Sequence, residues 1–108
     1  MSDDRAALEQ LFKASTSGAP HILLHYLYFP TKEVAAEVAI HLREQGFKTE
    51  ERLGADSINW LVLATHEVVP SEEILAITRQ MMEDLTGSRG GEYDGWEAEV
   101  LTQAPNGN

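Results

Sequence analysis

The chain contains no cysteine. That absence removes disulfide frameworks, thiolate zinc sites and cysteine nucleophiles at once, and it fits a reducing cytoplasm. Basic residues are scarce: 8 Lys and Arg stand against 18 Asp and Glu, for a formal charge of −10. Phosphate backbones reward Lys and Arg, so direct nucleic-acid binding is disfavoured. The imbalance is uneven. Residues 1–54 hold eight acids and six bases, whereas residues 55–108 hold ten acids and two bases. An acidic half of this kind keeps a small protein soluble and also attracts basic partners. Long apolar runs are missing too. The longest, Ile22 to Phe29, is interrupted by His25 and is far too short to span a bilayer. The opening residues, Met1-Ser2-Asp3-Asp4-Arg5, lack the apolar stretch of a secretory signal.

What is present fits one domain with one core, as expected for 108 residues. Residues 3–14 read as a short helix with Leu8, Leu11 and Phe12 on one face, followed by a Ser/Gly/Pro linker to Pro20. Residues 21–29 read as a strand. Pro30 stops it, and Thr31 caps a helix to about Gln45, with Val34, Val38 and Leu42 as its apolar stripe. Residues 47–53 alternate as a second strand, and Ile58 to Thr65 form a third. Ser71 caps a second helix to about Leu85, with a stripe of Ile74, Ile77, Thr78, Met81 and Leu85. A last strand runs from about Tyr93 to Leu101, and 103–108 read as a disordered tail. Pro30-Thr31-Lys32-Glu33-Val34 and Pro70-Ser71-Glu72-Glu73-Ile74 match in character, forty residues apart.

The order predicted for residues 20–102 is therefore βαββαβ, an α+β ferredoxin-like domain. Residues 1–19 add the N-terminal helix and linker. Strands 1 and 3 are apolar on both faces and should be central; strands 2 and 4 carry charge and should be edges. That gives an antiparallel sheet in the order 4-1-3-2 with both helices on one face. Strand 1 offers His21, Leu23, His25, Leu27 and Phe29 one way and Ile22, Leu24, Tyr26 and Tyr28 the other; one of these faces meets the helices, and the other stays apolar and needs a cover. The N-terminal helix, a second subunit or a partner are the candidates.

Few residues offer chemistry. His21 and His25 share a side of one strand, about 13 Å apart by strand rise, too far to share a metal ion. Glu92, Asp94 and Gly95 imitate the middle of a calcium loop. With Gly95 as its sixth position, however, Gly90 and Leu101 fall where acids are required. Gly87-Ser88-Arg89-Gly90-Gly91 follows a helix, whereas a phosphate loop precedes one. Tyr26, Tyr28 and Trp60 lie on the central strands like the stacking aromatics of an RNA-recognition sheet, yet residues 58–63 carry no Lys or Arg. No catalytic residue, metal site or cofactor follows from any of these; His25 is the one histidine that an enzymatic reading would use. Asp94-Gly95 reads as a turn or bulge, after which Trp96 and Ala98 face the core and Glu97 and Glu99 face outward.

The run Glu92-Tyr93-Asp94-Gly95-Trp96-Glu97, set after a two-helix ferredoxin-like pattern, resembles the RraB family of protein regulators, inhibitors of ribonuclease E. Members carry Tyr-Asp-Gly-Trp in the last strand, matched here by Tyr93, Asp94, Gly95 and Trp96. The resemblance implies a cytoplasmic, non-catalytic protein without a cofactor that binds an endoribonuclease and modulates RNA decay. The expected protein-binding residues are Glu92, Asp94, Glu97 and Glu99 for charge and Tyr93 for aromatic contact, with Gly95 and Trp96 holding the strand. Neither nucleic acid nor membrane is an expected partner. The alternative is a ligand-sensing homodimer that uses the apolar sheet face. Sequence alone leaves the ribonuclease, the affinity and the oligomeric state open.

Overall fold

A computed structural model of the chain describes Ala6 and residues 20–99. The predicted N-terminal helix (apart from Ala6), the 15–19 linker and the 103–108 tail lie outside the described residues. Six elements follow one another: β1 His21–Phe29, α1 Lys32–Glu44, β2 Lys48–Leu53, β3 Trp60–Val68, α2 Glu72–Gly87 and β4 Glu92–Glu99. The result is an α+β fold of ferredoxin-like arrangement. Its single antiparallel sheet has the order β2-β3-β1-β4, which reads 4-1-3-2 from the other edge.

Both helices begin at the predicted caps. The Thr31 hydroxyl accepts from the Val34 amide at 3.2 Å, and the Ser71 hydroxyl accepts from the Ile74 amide at 3.1 Å. Each satisfies an amide that the first turn would leave without a partner. α1 buries Ala35, Val38, Ala39 and Leu42. α2 corrects the predicted stripe: it buries Leu75, Thr78, Met82, Leu85 and Thr86, while Ile77 is 64% exposed. Apolar residues at 74, 77 and 81 and at 75 and 82, with Thr78 between the two sets, spread over nearly half of the helix's girth at about 100° per residue, so periodicity alone does not choose the buried side. Docking on β1 and β4 chooses it.

β3 is the other correction. Its predicted start, Ile58, lies in a loop and is 71% exposed. The Asp56 carboxylate accepts from the amides of Ile58 and Asn59 and from the Asn59 side chain. That side-chain turn holds the chain out of the ladder until Trp60. At its other end β3 continues to Val68, opposite His21.

The main core joins Leu27, Phe29, Val62 and Ala64 of the sheet to Val38, Leu42, Met82 and Leu85 of the helices, so both helices cover one face. Trp60 packs against this core, opposite Phe29. It therefore stands on the face away from Tyr26 and Tyr28, and the three aromatics do not form one platform. The other face carries Ile22, Leu24, Tyr26 and Tyr28 of β1 and Leu61, Leu63 and Thr65 of β3. None of these belongs to either core cluster.

Candidate functional site

The Tyr93-Asp94-Gly95-Trp96 run forms a β-bulge on the edge strand. β4 pairs with β1 through Leu27–Tyr93 and His25–Trp96, with a register shift between them. Three steps on β4 thus span two on β1, so one residue is extra. Gly95 sits at φ 99°, a left-handed backbone that side chains rarely adopt. In a regular strand residues 93 and 96 would face opposite sides. The extra residue turns both toward the helices.

Tyr93, expected as the aromatic contact for a partner, consequently packs against the main core. Its hydroxyl lies 2.9 Å from His25 Nδ1, and the Arg79 guanidinium stands 5.2 Å over its ring. Trp96 packs with Leu23 and Leu75 in a second, smaller core cluster.

Tyr93 and His25 continue into a chain of rings. His25, fully buried, places Nε2 at 3.0 Å from His66 Nε2. Phe47 stacks on His66 at 4.5 Å and meets His25 edge-on at 6.1 Å. Only one proton fits between the two Nε2 atoms, so the two rings cannot both be protonated there. Burial holds His66 below the ordinary histidine value, in the same direction. Both His25 nitrogens face protein groups and the ring has no solvent access, so it offers no base to a substrate. The sequence signal for this cluster is His25 on the apolar side of strand 1 and His66 at the end of strand 3. Period-2 alternation places them on one face, but their partner Tyr93 is legible only once the bulge is known.

The acids fall on the other face. Glu92 stands opposite Tyr28, Glu97 opposite Leu24 and Glu99 opposite Ile22, all exposed, as is Asp94 at the bulge. The Tyr26 hydroxyl donates to Glu97 at 2.7 Å. That bond, with burial behind it, raises the Tyr26 phenol above its ordinary range. Tyr26 therefore belongs to this surface in the place expected of Tyr93. Among the described residues no group of three or more His, Asp or Glu could hold a metal ion, and no helix is long and apolar enough to cross a membrane.

The model of the family described as Regulator of ribonuclease activity B (RraB) matches residues 2–98. The chain belongs to the RraB family. No curated protein matches it. The match takes in β1, β2, β3, the whole bulge and β4 up to residue 98, so the RraB assignment rests on the domain rather than on four residues of β4.

Proposed function

We propose that this RraB-family chain is a non-catalytic cytoplasmic protein that binds ribonuclease E and inhibits it, slowing RNA decay. The reading is carried by the family match over residues 2–98. It is supported by an exposed acid row on an edge strand, Glu92, Asp94, Glu97 and Glu99, in a chain of charge −10. Such a row repels RNA and attracts a basic protein segment. In this reading the target is a Lys/Arg-rich stretch of the nuclease that lies along β4. The acids supply charge and Tyr26, held by Glu97, supplies an aromatic surface. Tyr93, Gly95 and Trp96 act from behind by fixing the direction in which the acids point.

The test is RNA cleavage by purified ribonuclease E with increasing amounts of this protein, paired with co-sedimentation of the two. Inhibition that weakens with salt, and that is lost when Glu92, Asp94 and Glu99 are replaced by Gln, is the expected result. An unchanged cleavage rate together with no co-sedimentation would remove the regulator reading. Inhibition that survives the Gln variant would remove the docking row alone.

A further inference from the structure

The sheet face away from the helices has a charge pattern that complements itself. Its residues fall into rows across the four strands, set by the ladder registers. One row reads Lys48, Thr65, Leu24, Glu97 from β2 to β4; another reads Arg52, Leu61, Tyr28, Glu92. In both, a cation stands at the β2 end, an acid at the β4 end and apolar or neutral groups lie between. A two-fold axis parallel to the strands keeps each row at its height and reverses its ends. Lys48 of one copy then meets Glu97 of the other, and Arg52 meets Glu92, which makes four opposite-charge contacts across the pair. Tyr26 and Leu24 of each copy descend toward β3 of the other. There Lys48, Thr49, Glu50, Leu63 and Thr65 line a recess of about 380 Å³.

We propose that a second copy of this chain occupies the sheet face away from the helices in this two-fold arrangement. The size of the face agrees. β1 and β3 have nine residues each, β4 eight and β2 six, which at about 3.4 Å per residue and about 4.8 Å between strands makes a face of about 500 Å². Two such faces bury roughly 1,000 Å² even when treated as flat, which reaches the lower bound for a specific interface. Aligned packing of two twisted sheets keeps strand directions within about 30°, so the rows stay in reach of each other. The present Arg52–Glu50 ion pair, 3.4 Å long and exposed, is weak enough to exchange for an intermolecular one. The middle row opposes the arrangement, since it brings Glu50 to the bulge that carries Asp94, two like charges at a solvated rim. Glu67 and Glu99 lie in the end row beyond Lys48 and remain at the edge. The dimer uses Glu92 and Glu97, so on the regulator reading a ribonuclease segment competes with it. The dimer itself does not depend on that reading, and its test contains no nuclease.

The test is sedimentation equilibrium of the full chain with a charge-swap pair. The wild type should sediment at twice the 12.0 kDa chain mass. Lys48→Glu with Arg52→Glu, and separately Glu92→Lys with Glu97→Lys, should each weaken self-association by about tenfold or more. An equimolar mixture of the two variants should recover the dimer, because every altered row then meets its complement. Circular dichroism of each variant shows that it is folded. A wild type that stays monomeric up to about 1 mM, variants that still dimerise alone, or folded variants whose mixture stays monomeric would each overturn the proposal. The first of these outcomes would leave the face to residues 1–19 or to a different protein.

Discussion

Replacing Gly95 by Ala isolates the backbone of the bulge from its packing. A methyl group at Gly95 would meet no atom within 4 Å, and neither would one at Gly87. The two sites differ in backbone. Gly95 has φ 99°, whereas Gly87 is the last residue of α2 and is not among the positive-φ glycines. A left-handed conformation costs a non-glycine residue about 1–2 kcal/mol. Ala also restricts the unfolded chain, which offsets about 0.4–1 kcal/mol. At Gly95 the strain term should win, because φ 99° lies beyond the ordinary left-handed well near 57°. We expect a net loss of about 1 kcal/mol. For a domain of this size that lowers Tm by about 4–8 °C. At Gly87 the strain term is absent, and Ala should stabilise by up to about 1 kcal/mol through better helix propensity. Urea unfolding of both variants beside the wild type measures the two values. The opposite signs matter more than the sizes, since open space is common to both sites. A Gly95→Ala variant as stable as the wild type, or more stable, would refute the claim that this backbone needs glycine.

Two further outcomes follow from packing and burial. On α2, Leu75→Ala should cost about 2–5 kcal/mol as a core truncation, while Ile77→Ala should fall within about 0.5 kcal/mol of wild type as a surface change; comparable losses at both sites in urea unfolding would contradict the buried stripe assigned to this helix. His66 is held below its unfolded value by burial, so the unfolded chain takes up its proton first as pH falls. Its contribution is then complete above about pH 6.5 and is lost as pH falls through the folded value, with a slope of at most about 1.4 kcal/mol per pH unit. Unfolding at about pH 7.5 and about pH 5.5 should show a smaller difference for His66→Gln than for wild type, and equal differences would exclude this site as their source.

Much of the fold is legible because caps and alternation are local. Thr31 and Ser71 announce helices by their own hydroxyls, and the faces of β1 follow from a period of two over nine residues. Errors arise where a distant partner or a side-chain turn decides. Ile58 is as strand-like as Ile22 by type, but Asp56 holds it in a loop. Ile77 is as apolar as Leu75, but only Leu75 reaches Leu23 and Trp96. The place of Tyr93 is hidden for a third reason: a turn or bulge at Asp94-Gly95 does not by itself say which way the residue before it faces, and only the pairing with β1 turns Tyr93 to the helices.

That inserted residue also decides what the acid row can do. Glu92 and Glu97 are five positions apart, an odd spacing, so a regular strand would send them to opposite faces. Tyr93 and Trp96 are three apart and would likewise be divided. One extra residue, accommodated at Gly95, repairs both spacings together. It brings Tyr93 and Trp96 to the helices, where His25, Leu23 and Leu75 hold them. It also brings Glu92 to the same face as Glu97 and Glu99. A strand that lacked the bulge would expose an aromatic and at the same time point an acid toward the apolar core, and an unpaired acid is costly to bury, whereas glycine adopts the bulge backbone without strain. The Tyr-Asp-Gly-Trp run is therefore needed for the surface behind which it stands, even though two of its four residues, Tyr93 and Trp96, face away from that surface.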